Sequence, residues 1–332
     1  MTRGAPWPVY PGNYVFLTLL DAAKVWLGIN ERLLDLLPDQ DYGLADGHYG
    51  NLALFGNSRP QWVDIGSIVA GASAKNEKFS GWFGIDQFVR SLVYPLLMYF
   101  HRPEITAEIR QLMHVHFLGI PHHVLADTIG SEHVIEYRQP MRAGLSRSAA
   151  LASIRVKLDS LEYRPKVTNW SDYRNTTALD WALEGRYLQP GHDPRYSAIV
   201  ELVRKAPANT FLDVGANDGL FSVLCAREGK IGLATDVDDL SLNKLYAFLG
   251  DHPELNIIVA HAAFTQIDYS ADLVLVLALT HHLFLSQGLS FADIADRLDR
   301  VSRRVLINEV MPYVWGGTPG HPDPSPNPLP AG

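Results

Sequence analysis

A glycine-containing turn between an apolar segment and a helix is the part of the sequence most suggestive of chemistry. Residues 211–221 read FLDVGANDGLF, so a strand is predicted to end at Asp213 and the following turn contains Gly215 and Gly219. Glycine has no Cβ and lets the backbone approach a ligand, and parallel α/β sheets bind ligands at the carboxyl ends of their strands. The spacing is neither the dinucleotide fingerprint nor a phosphate loop. The turn therefore predicts a different kind of ligand site.

Polar residues also follow the neighbouring predicted strands. Asp236 can accept hydrogen bonds from both hydroxyls of a ribose, or it caps the next helix. His281 and His282 follow a long apolar strand, where a neutral imidazole can remove a hydroxyl proton near pH 7. The alternative is that one ring only packs against a ligand or caps a helix. Glu309 ends the last predicted strand and either holds a substrate or meets solvent.

The elements that would position these residues alternate from Arg195 onward. Strands are predicted at 210–214, 231–235, 257–260, 273–279 and 305–308, and helices at 196–205, 220–228, 241–249 and 291–301. Apolar strands that alternate with helices of this length indicate a parallel sheet covered on both faces. We therefore expect an open α/β domain over residues 191–315.

The first part of the chain has a different pattern. Residues 1–135 predict a mainly helical domain with a β-hairpin formed by 52–55 and 61–65, and with Pro95 as a possible helix kink. Residues 136–190 are basic and predict a linker whose arginines either form a solvated helix face or face an acid. The Gly- and Pro-rich residues 316–332 predict a disordered tail.

Composition limits the classes of protein to which the chain can belong. Of 332 residues, 47% are hydrophobic and 19% are charged, and the net charge is −8. These values predict a soluble protein of about two domains, disfavour nucleic-acid and membrane binding, and leave no transmembrane segment. A single cysteine, Cys225, excludes an intramolecular disulfide and is expected to be buried. Because the N-terminus lacks signal-peptide features, we expect a cytoplasmic protein.

The turn at 213–219 resembles motif I of class I S-adenosylmethionine (SAM) dependent methyltransferases. Further segments resemble methyltransferases related to host-specific nodulation proteins: 55–67, 81–88, 169–173 (NWSDY), 242–246, 277–283 (LALTHHL) and 307–312. The resemblance implies a Rossmann-like methyltransferase sheet. Relatives continue beyond the strand that contains Glu309, so we expect this sheet to lack its usual last strands.

The resemblance also implies which residues contact SAM. The implied set consists of the turn, the next strand ends and the end of the fourth strand: Asp213, Gly215, Ala216, Asn217, Gly219, Asp236, Val237, Ala263, Phe264 and Ala278. No acid follows the third strand, where such enzymes commonly bind the adenine amino group, so adenine would rest on backbone groups and Phe264. Trp170 and Tyr173 either close over SAM or pack within the linker.

A second resemblance lies in the N-terminal part. Residues 46–51 (DGHYGN) and the later Asp64 resemble the catalytic loop and metal-binding Asp of aminoglycoside-phosphotransferase-like kinases. In such enzymes the first Asp, here Asp46, positions the acceptor hydroxyl, while the Asn (Asn51) and later Asp hold Mg²⁺. No glycine-rich loop or strand lysine precedes the motif. We therefore expect a kinase-like C-lobe segment that serves structure or acceptor binding.

Histidines cluster at 114, 116, 122 and 123, which could suggest a zinc or copper site. No Cys, Asp or Glu lies within the cluster, and we expect surface histidines and no metal site. The leading hypothesis is therefore SAM-dependent methyl transfer to a small-molecule or saccharide acceptor, with His281 or His282 as the base. The alternatives are a non-catalytic scaffold that keeps the SAM fold, and a phosphotransferase that uses Asp46, Asn51 and Asp64.

Overall fold

The computed structural model describes residues 9–37, 42–70, 83–135, 146–164, 166–168, 170–171 and 178–309. The predicted tail, Tyr173, the basic residues of 136–145 and everything after Glu309 lie outside these residues. The predictions made for them, including the loss of the last strands, stay predictions. No described helix combines the length and apolar character needed to cross a bilayer.

The N-terminal part is mainly helical, as predicted. Its helices are α1 (Phe16–Leu36), α2 (Phe83–Phe88), α3 (Tyr94–His101), α4 (Thr106–Val115), α5 (His122–Ile129) and α6 (Arg147–Asp159). A π-helical segment, Val89–Val93, joins α2 to α3 immediately before Pro95. Proline has no N–H for the helical ladder, and the wider turn accommodates this loss.

Two short antiparallel strand pairs follow α1. They are β1 (Tyr42–Leu44) with β4 (Ile68–Ala70), and β2 (Leu52–Phe55) with β3 (Arg59–Trp62). The predicted bounds 61–65 for the second hairpin strand are wrong, because a tight turn ending at Ser58, with φ of 65°, starts the strand earlier. The β1–β4 pair was missed because three residues are too few to show an alternating pattern.

The C-terminal part contains one five-stranded parallel sheet. Its strands are β5 (Thr210–Val214), β6 (Ile231–Asp236), β7 (Ile257–His261), β8 (Ala271–Leu277) and β9 (Ser302–Glu309), in the spatial order β7-β6-β5-β8-β9. Its helices are α7 (Ala178–Glu184), α8 (Pro194–Lys205), α9 (Leu220–Arg227), α10 (Asp239–Asp251), α11 (Thr280–Leu285) and α12 (Phe291–Val301). This confirms the predicted α/β class, and the order of the strands is that of a Rossmann-like sheet.

One predicted strand boundary in the sheet matters for the site. Strand β8 ends at Leu277 rather than at Leu279, because Ala278 has a φ of 53° and turns the chain away from the sheet. The shift places Ala278 and the two histidines on the connection into α11 instead of on the strand.

The N-terminal helices share a hydrophobic core with one face of the sheet. Leu212 and Val214 of β5 belong to the same cluster as Trp26 and Leu92, whereas Phe211 faces the other cluster with α8, α9 and α10. Successive strand residues point to opposite faces, which explains the division. The N-terminal helices therefore cover one face of the sheet, and α8, α9 and α10 cover the other.

The hairpin turn also covers the edge of the sheet. The Ser58 hydroxyl donates to the carbonyl of Ile257 (3.2 Å) and accepts from the N–H of Val259 (2.6 Å), both on the outer strand β7. An open strand edge offers such groups to other chains. One side chain thus satisfies two backbone groups of an exposed edge.

Candidate functional site

A cavity of about 270 Å³, here called the first cavity, opens at the carboxyl ends of β5, β6 and β8. The strand order reverses between β5 and β8, which is where ligands bind in such sheets. Its lining includes eight of the ten predicted SAM contacts and both histidines: Asp213, Gly215, Ala216, Asn217, Asp236, Val237, Phe264, Ala278, His281 and His282. The sequence motifs therefore meet in one place.

The backbone of the turn after β5 is held by hydrogen bonds to β6. The N–H groups of Gly215 and Ala216 both donate to the carbonyl of Thr235 at 2.9 Å, which ties the turn to β6. Gly215 has φ of 73°, and a Cβ there would lie 3.0 Å from Leu279 of the cavity wall. Only glycine combines this conformation with an open cavity at that point.

Asp236 lies between the turn and the next helix and is held by three backbone donors. Its Oδ2 accepts from the N–H of Asn217 (2.7 Å), and its Oδ1 accepts from those of Val237 (2.6 Å) and Asp238 (2.9 Å). Burial raises the pKa of Asp236, and the backbone N–H groups oppose that rise. A carboxylate has about four acceptor positions, so the free one is on Oδ2.

Asp213 is buried at the end of β5, where its Oδ2 accepts from the Ser222 hydroxyl at 2.7 Å. This bond fixes the carboxylate against α9 while the residue still lines the first cavity. The neighbouring Cys225 is buried, as expected, and burial raises the pKa of its thiol, so it is no nucleophile. Asp213 therefore places a carboxylate at the wall of the first cavity.

The two histidines lie in the first turn of α11. Burial lowers the pKa of both His281 and His282, and the proximity of His281 lowers that of His282 further. Both imidazoles are therefore neutral near pH 7. His281 Nδ1 is buried without a hydrogen-bond partner among the described residues, and the His282 ring lies 4.8 Å from that of Trp170.

Trp170 covers the cavity from the linker. Its carbonyl accepts from the Asn217 side-chain amide at 3.0 Å, and Asn217 has φ of 53°. Asn tolerates the left-handed region better than most residues and uses its side chain here to hold the covering segment. The predicted role of Trp170 as a cover remains a proposal, but its position fits that role.

Two predicted contacts lie elsewhere. Gly219 does not line the first cavity; its φ is 81°, and an added Cβ would approach Leu245 to 2.4 Å, so it is a packing position below the turn. Ala263 lines a second cavity, whereas Ala262 lines the first. The strand-end Asp238 is an N-cap, since its Oδ1 accepts from the N–H of Ser241.

Arg195 is a site residue that sequence reasoning missed. It lines the first cavity from α8, donates to Glu309 at 2.6 Å, and has a buried Nε without a hydrogen-bond partner among the described residues. Glu309 therefore meets an arginine rather than solvent, and its charge opposes the lowering of the His281 pKa. A cation in the first turn of a helix is unfavourable, and that signal could have found it.

The kinase-like segment brings two of its three residues together. The Asn51 side-chain amide lies 3.4 Å from Oδ2 of Asp64, beside the β2–β3 hairpin. No interaction of the Asp46 carboxylate with either residue is observed in the described part of the chain. Within the same part, no three His, Cys, Asp or Glu side chains converge as a metal-ligand group, and His122 instead contacts the Tyr94 hydroxyl at 2.6 Å.

Comparison with known proteins gives only weak similarities. No protein-family model and no curated protein matches the sequence. Similar solved structures include the bifunctional kinase-methyltransferase WbdD, with 19% identity over 35% of this chain and 29% of that chain and a TM-score of 0.31. A methyltransferase from Geobacter sulfurreducens has 16% identity over 46% of this chain and 73% of that chain, with a TM-score of 0.28.

A third similar structure is the Pyrococcus abyssi tRNA (uracil-54, C5)-methyltransferase in complex with S-adenosyl-L-homocysteine. It has 16% identity over 32% of this chain and 26% of that chain, with a TM-score of 0.26. The chain thus spans 29% of this WbdD structure and 26% of the tRNA enzyme. All three structures are those of methyltransferases, and similarities this low carry no inference about what this chain does.

Proposed function

We propose that this chain transfers a methyl group from SAM to a small-molecule or saccharide acceptor. One observation carries the proposal: the glycine turn, the anchored Asp236 and a pair of neutral imidazoles line one cavity at the switch point of the sheet. SAM supplies an electrophilic methyl group on a sulfonium centre, and loss of that group leaves S-adenosylhomocysteine.

The residues of the first cavity suit the parts of such a ligand. The free acceptor position of Asp236 matches a ribose hydroxyl, and the Asp213 carboxylate matches an ammonium group. Phe264 offers an apolar surface for the adenine ring. Arg195 Nε, which has no hydrogen-bond partner among the described residues, could donate to a carboxylate. Gly215 places no Cβ between the turn and Leu279 of the cavity wall, so a ligand could lie close to the backbone of the turn.

Proton removal is assigned to His281 or His282. When a hydroxyl is the acceptor, its oxygen forms the new bond to carbon, the sulfur–carbon bond breaks, and the hydroxyl proton moves to a neutral imidazole nitrogen. His281 is the better placed of the two, because its Nδ1 has no hydrogen-bond partner in the described part of the chain. Positioning and exclusion of water carry the rest of the rate, because methyl transfer requires the acceptor in line with the departing sulfur.

Calorimetric titration of the full chain with SAM and S-adenosylhomocysteine tests the proposal. We expect one saturable site, and a 10- to 100-fold loss of affinity in Asp236→Ala, the range expected for a charge-assisted hydrogen bond. The matched control is Asp296→Ala, an exposed acid of α12 outside the cavity. Folded protein that binds neither compound would contradict the proposal and favour a scaffold. Equal binding by Asp236→Ala would contradict the assignment of Asp236 to the SAM site.

A further inference from the structure

A second and larger cavity lies between the N-terminal helices and the end of β7. It encloses about 980 Å³ and touches the first cavity at Val237, which lines both. Its walls come from α1, α3, α4, residues 163–164, 166 and 168, the residues after β6 and those around His261. The proposed methyl transfer assigns no role to this space.

The charges of the second cavity do not balance once ion pairs are considered. Its three carboxylates are all engaged by arginines, in the pairs Asp239 with Arg110, Glu104 with Arg102 and Asp268 with Arg297. Two further cations of the lining, Arg164 and Lys166, make no ion pair with any described residue. The Arg164 guanidinium lies over the Phe100 ring, 4.5 Å from its centroid. Counted together with their arginine partners, of which Arg102 and Arg297 lie outside the lining, the described charged residues at this cavity have a net charge of +2.

Buried donors without partners face the same space. Tyr99 and Arg110 are only 7% and 6% exposed, and the Tyr99 hydroxyl and Arg110 Nε have no hydrogen-bond partner among the described residues. Burial raises the pKa of Tyr99, so its hydroxyl keeps its proton and remains a donor. An unsatisfied buried polar group is destabilising, and a hydrogen-bond acceptor on a ligand would remove that cost.

An apolar surface adjoins these donors. The rings of Phe16 and Tyr163 stack at 5.1 Å and both line the second cavity. Small-molecule sites commonly combine such aromatic walls with a few polar groups in a space of about 300–1,000 Å³. A ligand here would need an anionic group for the cations and an organic body for the rings.

We propose that the second cavity binds an organic phosphate. A phosphate monoester carries close to two negative charges at pH 7, which matches Arg164 and Lys166, and its oxygens accept hydrogen bonds from several donors at once. The organic part lies against Phe16 and Tyr163. The site is separate from the SAM site and does not depend on methyl transfer, although Val237 adjoins both.

Phenyl phosphate, which combines a phosphate with one aromatic ring, is the probe for a calorimetric titration of the full chain. We expect saturable binding that weakens at least tenfold in the double variant Arg164→Ala/Lys166→Ala. The control, Lys205→Ala/Arg300→Ala, removes the same charge from exposed cations outside the cavity and should leave binding unchanged. Tyr99→Phe, which only removes the hydroxyl, should weaken binding three- to tenfold.

Inorganic phosphate and benzoate separate the contributions of charge and ring. Both should bind at least tenfold more weakly than phenyl phosphate. Equal affinity for inorganic phosphate would overturn the organic part of the proposal, and equal affinity for benzoate would overturn the phosphate part. Loss of phenyl phosphate binding in Asp236→Ala would place the probe in the first cavity and overturn the site. Equal losses in the cavity and control double variants would also overturn the proposed site, as would the absence of phenyl phosphate binding by folded protein.

Discussion

The two cavities on either side of Val237 are built in different ways. The first is formed mostly by short contiguous motifs at the ends of neighbouring parallel strands, and its Asp236 carboxylate is held by backbone N–H groups. The second is assembled from helices of the N-terminal part, the start of α10 and the end of β7, and the Arg110–Asp239 ion pair links α4 to α10. The first cavity therefore depends on the local geometry of the strand ends. The second depends on the packing of the N-terminal helices against the C-terminal part.

Removal of Arg110 should have the largest effect, because it breaks the ion pair that joins α4 to α10. Arg110→Met leaves Asp239 without its partner and frees the carbonyls of Gly12 and Tyr14, which the guanidinium also binds. We expect a loss of about 3–5 kcal/mol in the free energy of unfolding, measured by urea denaturation. Phenyl phosphate binding should be lost while SAM binding persists. Equal loss of both ligands would show that the cavities are not independent.

Gly219→Ala should act on the first cavity through its support. The new Cβ meets Leu245 and the backbone stays in the left-handed region, so we expect a destabilisation of about 2–3 kcal/mol. Gly229→Ala is the matched control, since its φ is 79° but nothing lies within 4 Å of the added Cβ. It should cost only about 1 kcal/mol. Similar losses in the two variants would remove the packing role of Gly219.

The pH dependence of stability should reflect His261, which lines the second cavity. Burial, then the charge of Arg110, lower the pKa of His261 to about 4, and Asp239 opposes the shift. The unfolded chain therefore binds a proton below pH 6.5 that the folded chain refuses, so stability falls as the pH drops from 6.5 to 4. The slope for one proton is at most about 1.4 kcal/mol per pH unit. His261→Gln should flatten this slope. An unchanged slope would contradict the assignment of this pH dependence to His261.

Ser58→Ala should give the smallest effect. It removes both hydrogen bonds to the outer edge of β7, and we expect a loss of about 1–2 kcal/mol in unfolding free energy. Ser160→Ala, which removes an exposed hydroxyl bonded to the carbonyl of Lys157, is the control and should change stability by less than about 0.5 kcal/mol. Equal effects would mean that solvent replaces Ser58 at the edge.

The same contrast explains which features the sequence could reveal. Strand β5 was predicted with its observed bounds, Thr210–Val214, because apolar strand, glycine turn and helix follow one another within a dozen residues. The end of β8 was missed because the left-handed conformation of Ala278 has no sequence signal. Arg195 was missed because it lies on α8, well before the turn it approaches.

The second cavity could not be predicted from the sequence for a physical reason. Arg110 and Asp239 are 129 positions apart, and the pattern of neither α4 nor α10 says that the two helices meet. Likewise, the hydrogen bonds of Ser58 to β7 span about 200 positions. Periodicity gives the buried face of an element but does not identify the element that covers it.

The position of Ser58 in the chain bears on how the protein is made. Synthesis proceeds from the N-terminus, so the β2–β3 hairpin leaves the ribosome about 200 residues before β7 does. The hairpin is therefore available to cover β7 when that strand is synthesised. The slow non-local pairing of the parallel strands can then take place with the outer edge of β7 covered. The order of the chain itself shortens the time during which a nascent sheet is open to other nascent chains.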